Sequence, residues 1–323
     1  MMIPRSARND FHHPLLILGG LAVSDRDLVR DFALQLNAPV YAEPLSGLRE
    51  DRELQKLMVT AGERMIAGGK FDGVIRIGNV PTLRFWRDLD ESRRDLPVVS
   101  YSRLPFTGMS RGEVHRLEEL PKMRTQKRDE GFFKRDRATA KKIARMLDDE
   151  PESEQAIFRQ LSLELPGGAR VYLGNSLPIR EWDLFASRND RAFVYEANRG
   201  ANGIDGQLST FLGWCAPGEG NVAIAGDLTV LYDMNAPWIV PQLDPDVRLK
   251  IVIINNGGGR IFSRVASLKK IEPSIRKTII ENSHSFRFGK WASMWQLGSS
   301  VLELTPDPRA TERVWERYDA LWK

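Results

Sequence analysis

The sequence predicts an α/β protein of two doubly wound parallel-sheet domains, and three observations carry that expectation. Short apolar runs suited to strands buried on both faces recur from Leu15-Leu16-Ile17-Leu18 to residues 249–254 (LKIVII). Helical patterns alternate with them across short connections. The chain has 323 residues, 42% of them hydrophobic, which is enough for two cores and excludes wholesale disorder.

In order, the first apolar run enters Gly19-Gly20. Ser24 is placed to cap a helix over 25–36, with Leu28, Val29, Phe32 and Leu36 on one face. Asn37-Ala38-Pro39 stops it, and Val40-Tyr41-Ala42 is the next strand. Residues 53–67 are helical in pattern, 73–77 form a strand ending at Gly78-Asn79, 84–89 are helical, and 97–101 (PVVSY) are a strand. In the second half a helix is expected from Glu152 through Leu165. Strands follow at 171–173, 193–195, 222–225 and 249–254, with a closing helix over 314–322. The domains are then 1–122 and 151–323, joined by a basic linker and helix over 123–150.

Charge and composition narrow the class. Lys and Arg number 47 against 43 Asp and Glu, a net +4 that permits nucleic-acid binding without demanding it. The basic stretch 121–145 reads as a solvated linker and helix face rather than an RNA-binding surface, with Phe132-Phe133 docking it onto a domain. The lone cysteine, Cys215, reads as a small buried residue. It excludes an intramolecular disulfide framework and fits a reducing, cytoplasmic setting. No run of eighteen apolar residues spans a membrane, and the N-terminal apolar stretch reads as a first strand rather than a signal peptide. His12-His13 reads as part of a mobile N-terminal segment and His284 as a surface or packing residue. Trp291, Trp295, Trp315 and Trp322 read as core or interface.

The chemistry concentrates in four polar, glycine-bearing segments that follow strands: 174–176 (GNS), 198–206 (NRGANGIDG), 226–229 (GDLT) and 255–259 (NNGGG). In open α/β sheets ligands bind at the carboxyl ends of the strands. Glycines let the backbone approach a ligand, and the freed amides can cradle phosphate. Asp227 and Asn256 supply oxygen ligands suited to a hard divalent cation. With a backbone carbonyl they leave octahedral positions for a diphosphate and water. Fewer than thirty residues separate Gly226-Asp227 from Asn255-Asn256, room for one helix and one strand that bring the two ends side by side.

That Gly-Asp followed by Asn-Asn resembles the thiamine-diphosphate motif. The wider wording in GNSLPIR (174–180), NRGANGIDG (198–206), GDLTVLYDMNA (226–236) and NNGGGRIF (255–262) resembles the MenD family of menaquinone-pathway synthases. Residues 14–120 are similar, more weakly, to that family's central domain. There Arg84, in Pro81-Thr82-Leu83-Arg84, stands where the family carries a lysine.

The resemblance implies thiamine diphosphate and Mg²⁺ (or Mn²⁺) as cofactors. Asp227, Asn256 and the Gly258 carbonyl would hold the metal. Asn175, Gly226, Leu228, Thr229, Gly257 and Gly259 would line the cofactor, and Ile204 would be the apolar wedge that keeps it bent. Ser176, Arg180 and Arg199, with Arg84, would face small acidic substrates, since arginine clamps carboxylates bidentately. The implied transferase reaction decarboxylates 2-oxoglutarate and adds the succinyl unit to isochorismate. The family has NNNGG where this chain has NNGGG.

The resemblance begins with the central domain. It therefore implies a separate pyrimidine-domain chain carrying the activating glutamate, inactivity of this chain alone, and a homodimer that becomes a heterotetramer with that partner. Trp214, Trp238, Trp291 and Trp295 are the sequence hint of a face made to be covered. Two other readings stay open: a catalytically inactive paralogue with a binding or regulatory role, and half of another thiamine-diphosphate-dependent 2-oxo-acid enzyme. Asp227 and Asn256 argue against the first, and Arg180 and Arg199 against the second.

Overall fold

The computed structural model describes residues 11–122, 128–200, 202–265 and 267–323. The first ten residues, 123–127 of the expected linker, Ala201 of the NRGANGIDG segment and Ala266 lie outside the described residues. The chain divides into two compact units. The first runs to Arg145 and takes in Arg188–Asp190 and Ala320–Lys323; the second is Met146–Ser187 with Arg191–Asp319.

The first unit contains β1 (Pro14–Leu18), α1 (Arg26–Leu36), β2 (Val40–Ala42), α2 (Glu63–Ala67), β3 (Gly73–Ile77), α3 (Arg84–Glu91), β4 (Val98–Tyr101), β5 (Val114–His115) and most of α4 (Glu130–Asp149). Its strands are all parallel, in the order β2-β1-β3-β4-β5. β1, an unbroken apolar run, is buried along its whole length, and so is β3 although it carries Arg76.

Two local expectations change. Ser24 does not cap α1; the chain enters through a 3-10 turn over Val23–Asp25, and Asp25 gives its carboxylate to the Arg103 guanidinium. Val29, Phe32 and Leu36 are buried, but Leu28 is 45% exposed. The long helix expected over 53–67 is only α2. Asp51 Oδ1 accepts the Glu53 and Leu54 N–H groups and holds the chain in turns. Val59 N–H bonds to the Val40 carbonyl, drawing the segment beside β2. Side-chain and strand bonds here outcompete the helical ladder. The histidine pair is not loose either: the His12 and His13 N–H groups both bond to the Asp72 carboxylate.

The strand order reverses between β1 and β3, where doubly wound sheets open a ligand crevice. Here that crevice is filled by chain. Gly19 N–H bonds to the Ile77 carbonyl and Asn79 N–H to the Gly20 carbonyl. A Cβ on Gly19 would collide with the Asn79 carbonyl. Glu43 closes the loops further by accepting both the N–H and the hydroxyl of Thr82.

α4 is docked by more than its apolar residues. Phe132 and Phe133 are buried, and Asp136 is fully buried with its carboxylate accepting the Thr60 N–H and hydroxyl and the Ala61 N–H.

The second unit repeats the order. It contains α5 (Glu154–Glu164), β6 (Arg170–Leu173), α6 (Leu177–Phe185), β7 (Val194–Glu196), α7 (Gln207–Trp214), β8 (Gly218–Gly226), α8 (Asp227–Tyr232) and β9 (Val247–Ile254). A one-turn α9 (Pro273–Ile275), α10 (Gly289–Met294), β10 (Val301–Leu304) and α11 (Pro308–Ala320) complete it. The sheet is again all parallel, ordered β10-β9-β8-β6-β7. Counted from its own first strand this is the 2-1-3-4-5 order of the first unit. One core cluster joins Tyr172, Phe211, Ala223, Ile251, Ile253 and Trp291. Trp214 and Trp295 pack against it, and Trp238 is 61% exposed. Burial pushes the Cys215 thiol up to about 11, so it is inert at neutral pH.

Glu181, on α6, is buried, and among the described residues neither of its oxygens has a hydrogen-bond partner. Burial raises its carboxyl well above the usual range; the Glu154 charge adds to this and the Arg264 charge opposes it.

Two predictions follow from these buried carboxyls. Asp136→Ala strands three donors, and urea unfolding should show a loss of about 1–3 kcal/mol; an unchanged midpoint would mean that α4 is held by its aromatics alone. Glu181 has a folded-state pKa above its unfolded value, so its contribution is greatest below the unfolded carboxyl pKa and declines as pH rises toward the folded one. Glu181→Gln should therefore raise the melting temperature over wild type more at about pH 8 than at about pH 5. A difference that does not grow with pH contradicts the assignment.

Candidate functional site

The switch point of the second sheet lies between β6 and β8, and here the loops leave space. A cavity of about 270 Å³ opens at the carboxyl ends of β6, β8 and β9. Of the residues expected to make contacts, Ser176, Ile204, Gly226, Asp227, Leu228, Thr229, Asn256, Gly258 and Gly259 all line it.

Asp227 follows directly on the last residue of β8 and is 2% exposed. Its Oδ2 accepts the Gly257 and Gly258 N–H groups at 2.8 and 2.9 Å, and its Oδ1 accepts the Leu228 N–H at 2.6 Å. Burial pushes its carboxyl up, while the backbone donors and His284 pull it down. His284 Nε2 lies 3.3 Å from Oδ2. The other ring nitrogen, Nδ1, accepts the Phe286 N–H, and Nε2 is buried without a hydrogen-bond partner among the described residues. His284, expected at the surface or in packing, thus lies beside a buried carboxylate of the cavity.

The two asparagines after β9 divide their work. Asn255 is structural: its Nδ2 donates to the Phe286 carbonyl and to Glu303, and its N–H bonds to the Leu304 carbonyl of β10. Asn256 lines the cavity. Its Nδ2 donates to both oxygens of Glu154 at 3.1 and 3.0 Å, and its Oδ1 is buried with no hydrogen-bond partner. Gly258 has φ 132°, and a Cβ there would stand 2.6 Å from the Glu281 carbonyl, so only glycine fits. Its own carbonyl accepts the Arg260 N–H and keeps a second lone pair.

Ser176 has φ 74° and ψ −125°, a conformation that costs a serine about 1–3 kcal/mol and marks functional loops. Asn175, Arg180, Arg199 and Gly257 do not line the cavity. Asn175 is fully buried, donating to the Asn198 and Gly203 carbonyls and accepting from Arg199 Nη1 at 2.5 Å. It latches the loop after β6 to the loop after β7, a bond set that leaves it no role as a lining group. Arg180 Nη1 donates to the Ser176 carbonyl at 2.6 Å. Arg84 lies in the first unit, where it bonds Asp88 and Glu91 on its own helix.

Sequence reasoning missed Glu154, Leu177, Arg260 and Phe262, all of which line the cavity. Glu154 begins α5 and is 2% exposed; burial pushes its carboxyl up to about 7, the Asn256 amide opposing and the Asp227 charge adding. No local pattern marks it, because it meets Asn256 from 102 residues away.

The donors fit a hard cation bound together with an anion. One carboxylate, an orphaned amide oxygen and a main-chain carbonyl are too few to saturate Mg²⁺ alone. Among the described residues no three His, Cys, Asp or Glu side chains gather to hold a metal. Oxygens of a bound diphosphate and water would complete the shell.

No protein-family model matches the chain. It is 39% identical, over 97% of its length, to the 2-succinyl-5-enolpyruvyl-6-hydroxy-3-cyclohexene-1-carboxylate synthase of Bdellovibrio bacteriovorus, of which it covers 62%. It is 34% identical, over 93% of its length, to the synthase of the same name from Akkermansia muciniphila, covering 60% of that protein. A solved structure described as a thiamin diphosphate-dependent enzyme from Mycobacterium smegmatis shares the fold. Its TM-score is 0.56 at 18% identity, over 93% of this chain and 62% of that one. The chain spans about three fifths of the length of the relatives it matches. Within that span, the chain is similar to the 2-succinyl-5-enolpyruvyl-6-hydroxy-3-cyclohexene-1-carboxylate synthases.

Proposed function

We propose that the second unit binds thiamine diphosphate through Mg²⁺ and serves a menaquinone-pathway synthase that decarboxylates 2-oxoglutarate and adds the succinyl unit to isochorismate. The observation that carries this reading is the unpartnered Asn256 Oδ1 in a cavity that also holds the buried Asp227 carboxylate. Bound there, thiamine diphosphate would supply the electron sink that decarboxylation of a 2-oxo acid needs.

The chain's own residues would bind and orient. Asp227, Asn256 Oδ1 and the Gly258 carbonyl would hold the metal, and the Leu228 and Thr229 backbone with Gly226 and Gly259 would face the diphosphate. Ile204 offers an apolar surface to the rings. Ser176, strained and lining the cavity, with Arg180 on α6 and Arg199 on the loop after β7, would serve substrate carboxylates. Arg199 and Arg180, bonded as described, would keep those loops in place as well.

We further propose that turnover needs a pyrimidine-binding domain to complete the site, in the cytoplasm, and that this chain self-associates. Phe262, Val265, Ile275 and Ile279 are exposed apolar side chains in the segment that follows the NNGGG loop. That supports a face that another surface covers. Among the described residues no helix is long and apolar enough to cross a membrane.

Calorimetry tests the site. Wild type should bind thiamine diphosphate in the presence of Mg²⁺ and lose that binding without the metal. Asp227→Ala should abolish it, and Asp227→Asn, which keeps an acceptor for the glycine amides, should weaken it by at least about tenfold. Equal affinity in all three proteins removes the metal assignment. Light scattering tests the assembly: a dimer is expected for the purified chain, with no 2-oxoglutarate decarboxylation by that chain alone. A monomer that turns over steadily refutes the requirement for a partner.

A further inference from the structure

We infer that Glu154 is the positioning residue that turns the Asn256 amide so that its oxygen, not its nitrogen, faces the cavity. The inference rests on the reading of that cavity as a cation and diphosphate site. An asparagine amide can sit either way round, and its neighbours decide which. In one orientation Nδ2 donates to the Glu154 carboxylate, as observed, and Oδ1 is left buried without a partner. In the other, Oδ1 would meet two carboxylate oxygens, acceptor against acceptor, and the N–H groups would point where a cation must bind. Glu154 excludes that second orientation.

The geometry of Glu154 suits the task. It is 2% exposed, so water does not compete for Asn256. Its main chain is fixed on two sides: the Ser153 hydroxyl caps α5 through the Ala156 N–H, and the Glu154 N–H donates to the Thr311 hydroxyl of α11. A carboxylate on so fixed a backbone holds an amide as a second layer of ligation holds a metal-bound side chain.

Two readouts test the inference, one of them free of metal. In the first, Mn²⁺ binding in the presence of thiamine diphosphate is titrated by electron paramagnetic resonance. Glu154→Leu removes the acceptor and should weaken Mn²⁺ by about 10–100-fold. Glu154→Gln keeps an oxygen acceptor and should stay within about threefold of wild type, a rescue that a packing role does not produce. In an Asn256→Ala background, Glu154→Leu should cost nothing more, because the residue acts through Asn256. In the second readout, the Asn256 side-chain amide resonances, assigned by their loss in Asn256→Ala, should shift in metal-free Glu154→Leu and stay near wild type in Glu154→Gln. Wild-type Mn²⁺ affinity and unshifted amide resonances in Glu154→Leu overturn the inference and leave the cofactor reading standing. Absence of Mn²⁺ binding in wild type overturns the cofactor reading and this inference with it.

Discussion

One buried carboxylate holds the ends of two central strands together. Asp227 closes β8, and its Oδ2 receives two successive amides from the loop that closes β9. Burying that charge is expensive, and three backbone N–H bonds offset the cost. Presenting two consecutive amides to a single oxygen forces positive φ at Gly257 and Gly258, 79° and 132°, and so dictates glycine there. Once those two residues are fixed, Asn256 before them and Gly259 to Phe262 after them are set around the cavity. The tie is therefore both the clamp of the carboxyl ends of these central strands and the frame of the site.

The two units show that strand order alone does not make a site. Both sheets run 2-1-3-4-5 and reverse at the same place. In the first, the loops at the reversal bond to one another, and the Gly19 backbone lies against the Asn79 carbonyl with no room for a side chain. In the second, the chain leaves β6 and β8 through shorter connections, and side chains fix the loops around the opening: Asn175 ties the loop after β6 to the loop after β7, and Asp227 ties the end of β8 to the loop after β9. Function resides in the loops, and the sheet supplies the place.

Much of the fold was legible because buried parallel strands are written as unbroken apolar runs. β3 matches its expected span, and β1, β4, β6, β8 and β9 lie where those runs occur. What was not legible depends on distant partners. The 53–67 stretch has helical periodicity, yet Asp51 and β2 hold most of it in turns. β5 has two residues and β10 is half-buried, so neither carries an apolar run. In the site, Asp227 and Asn256 were readable from their spacing after two strands. Glu154 and His284 were not, since each meets the site through folding rather than through any motif. Asn175 was expected to line the cofactor and instead latches two loops, because side chains that shape a loop and side chains that bind are written in the same polar, glycine-rich language.

The bond between the Glu154 N–H and the Thr311 hydroxyl, paired with one from the Asp307 N–H to the Glu152 carbonyl, joins the first helix of the second unit to its last. During synthesis the amino-terminal residues of this unit leave the ribosome long before the carboxyl-terminal ones. α5 can form early, but its beginning is anchored only when Thr311 has emerged. The sheet, being all parallel, also closes through long-range pairings that are slow to form. The unit is thus a ring closed by its final segment, and its cavity acquires a fixed floor in the last stage of folding.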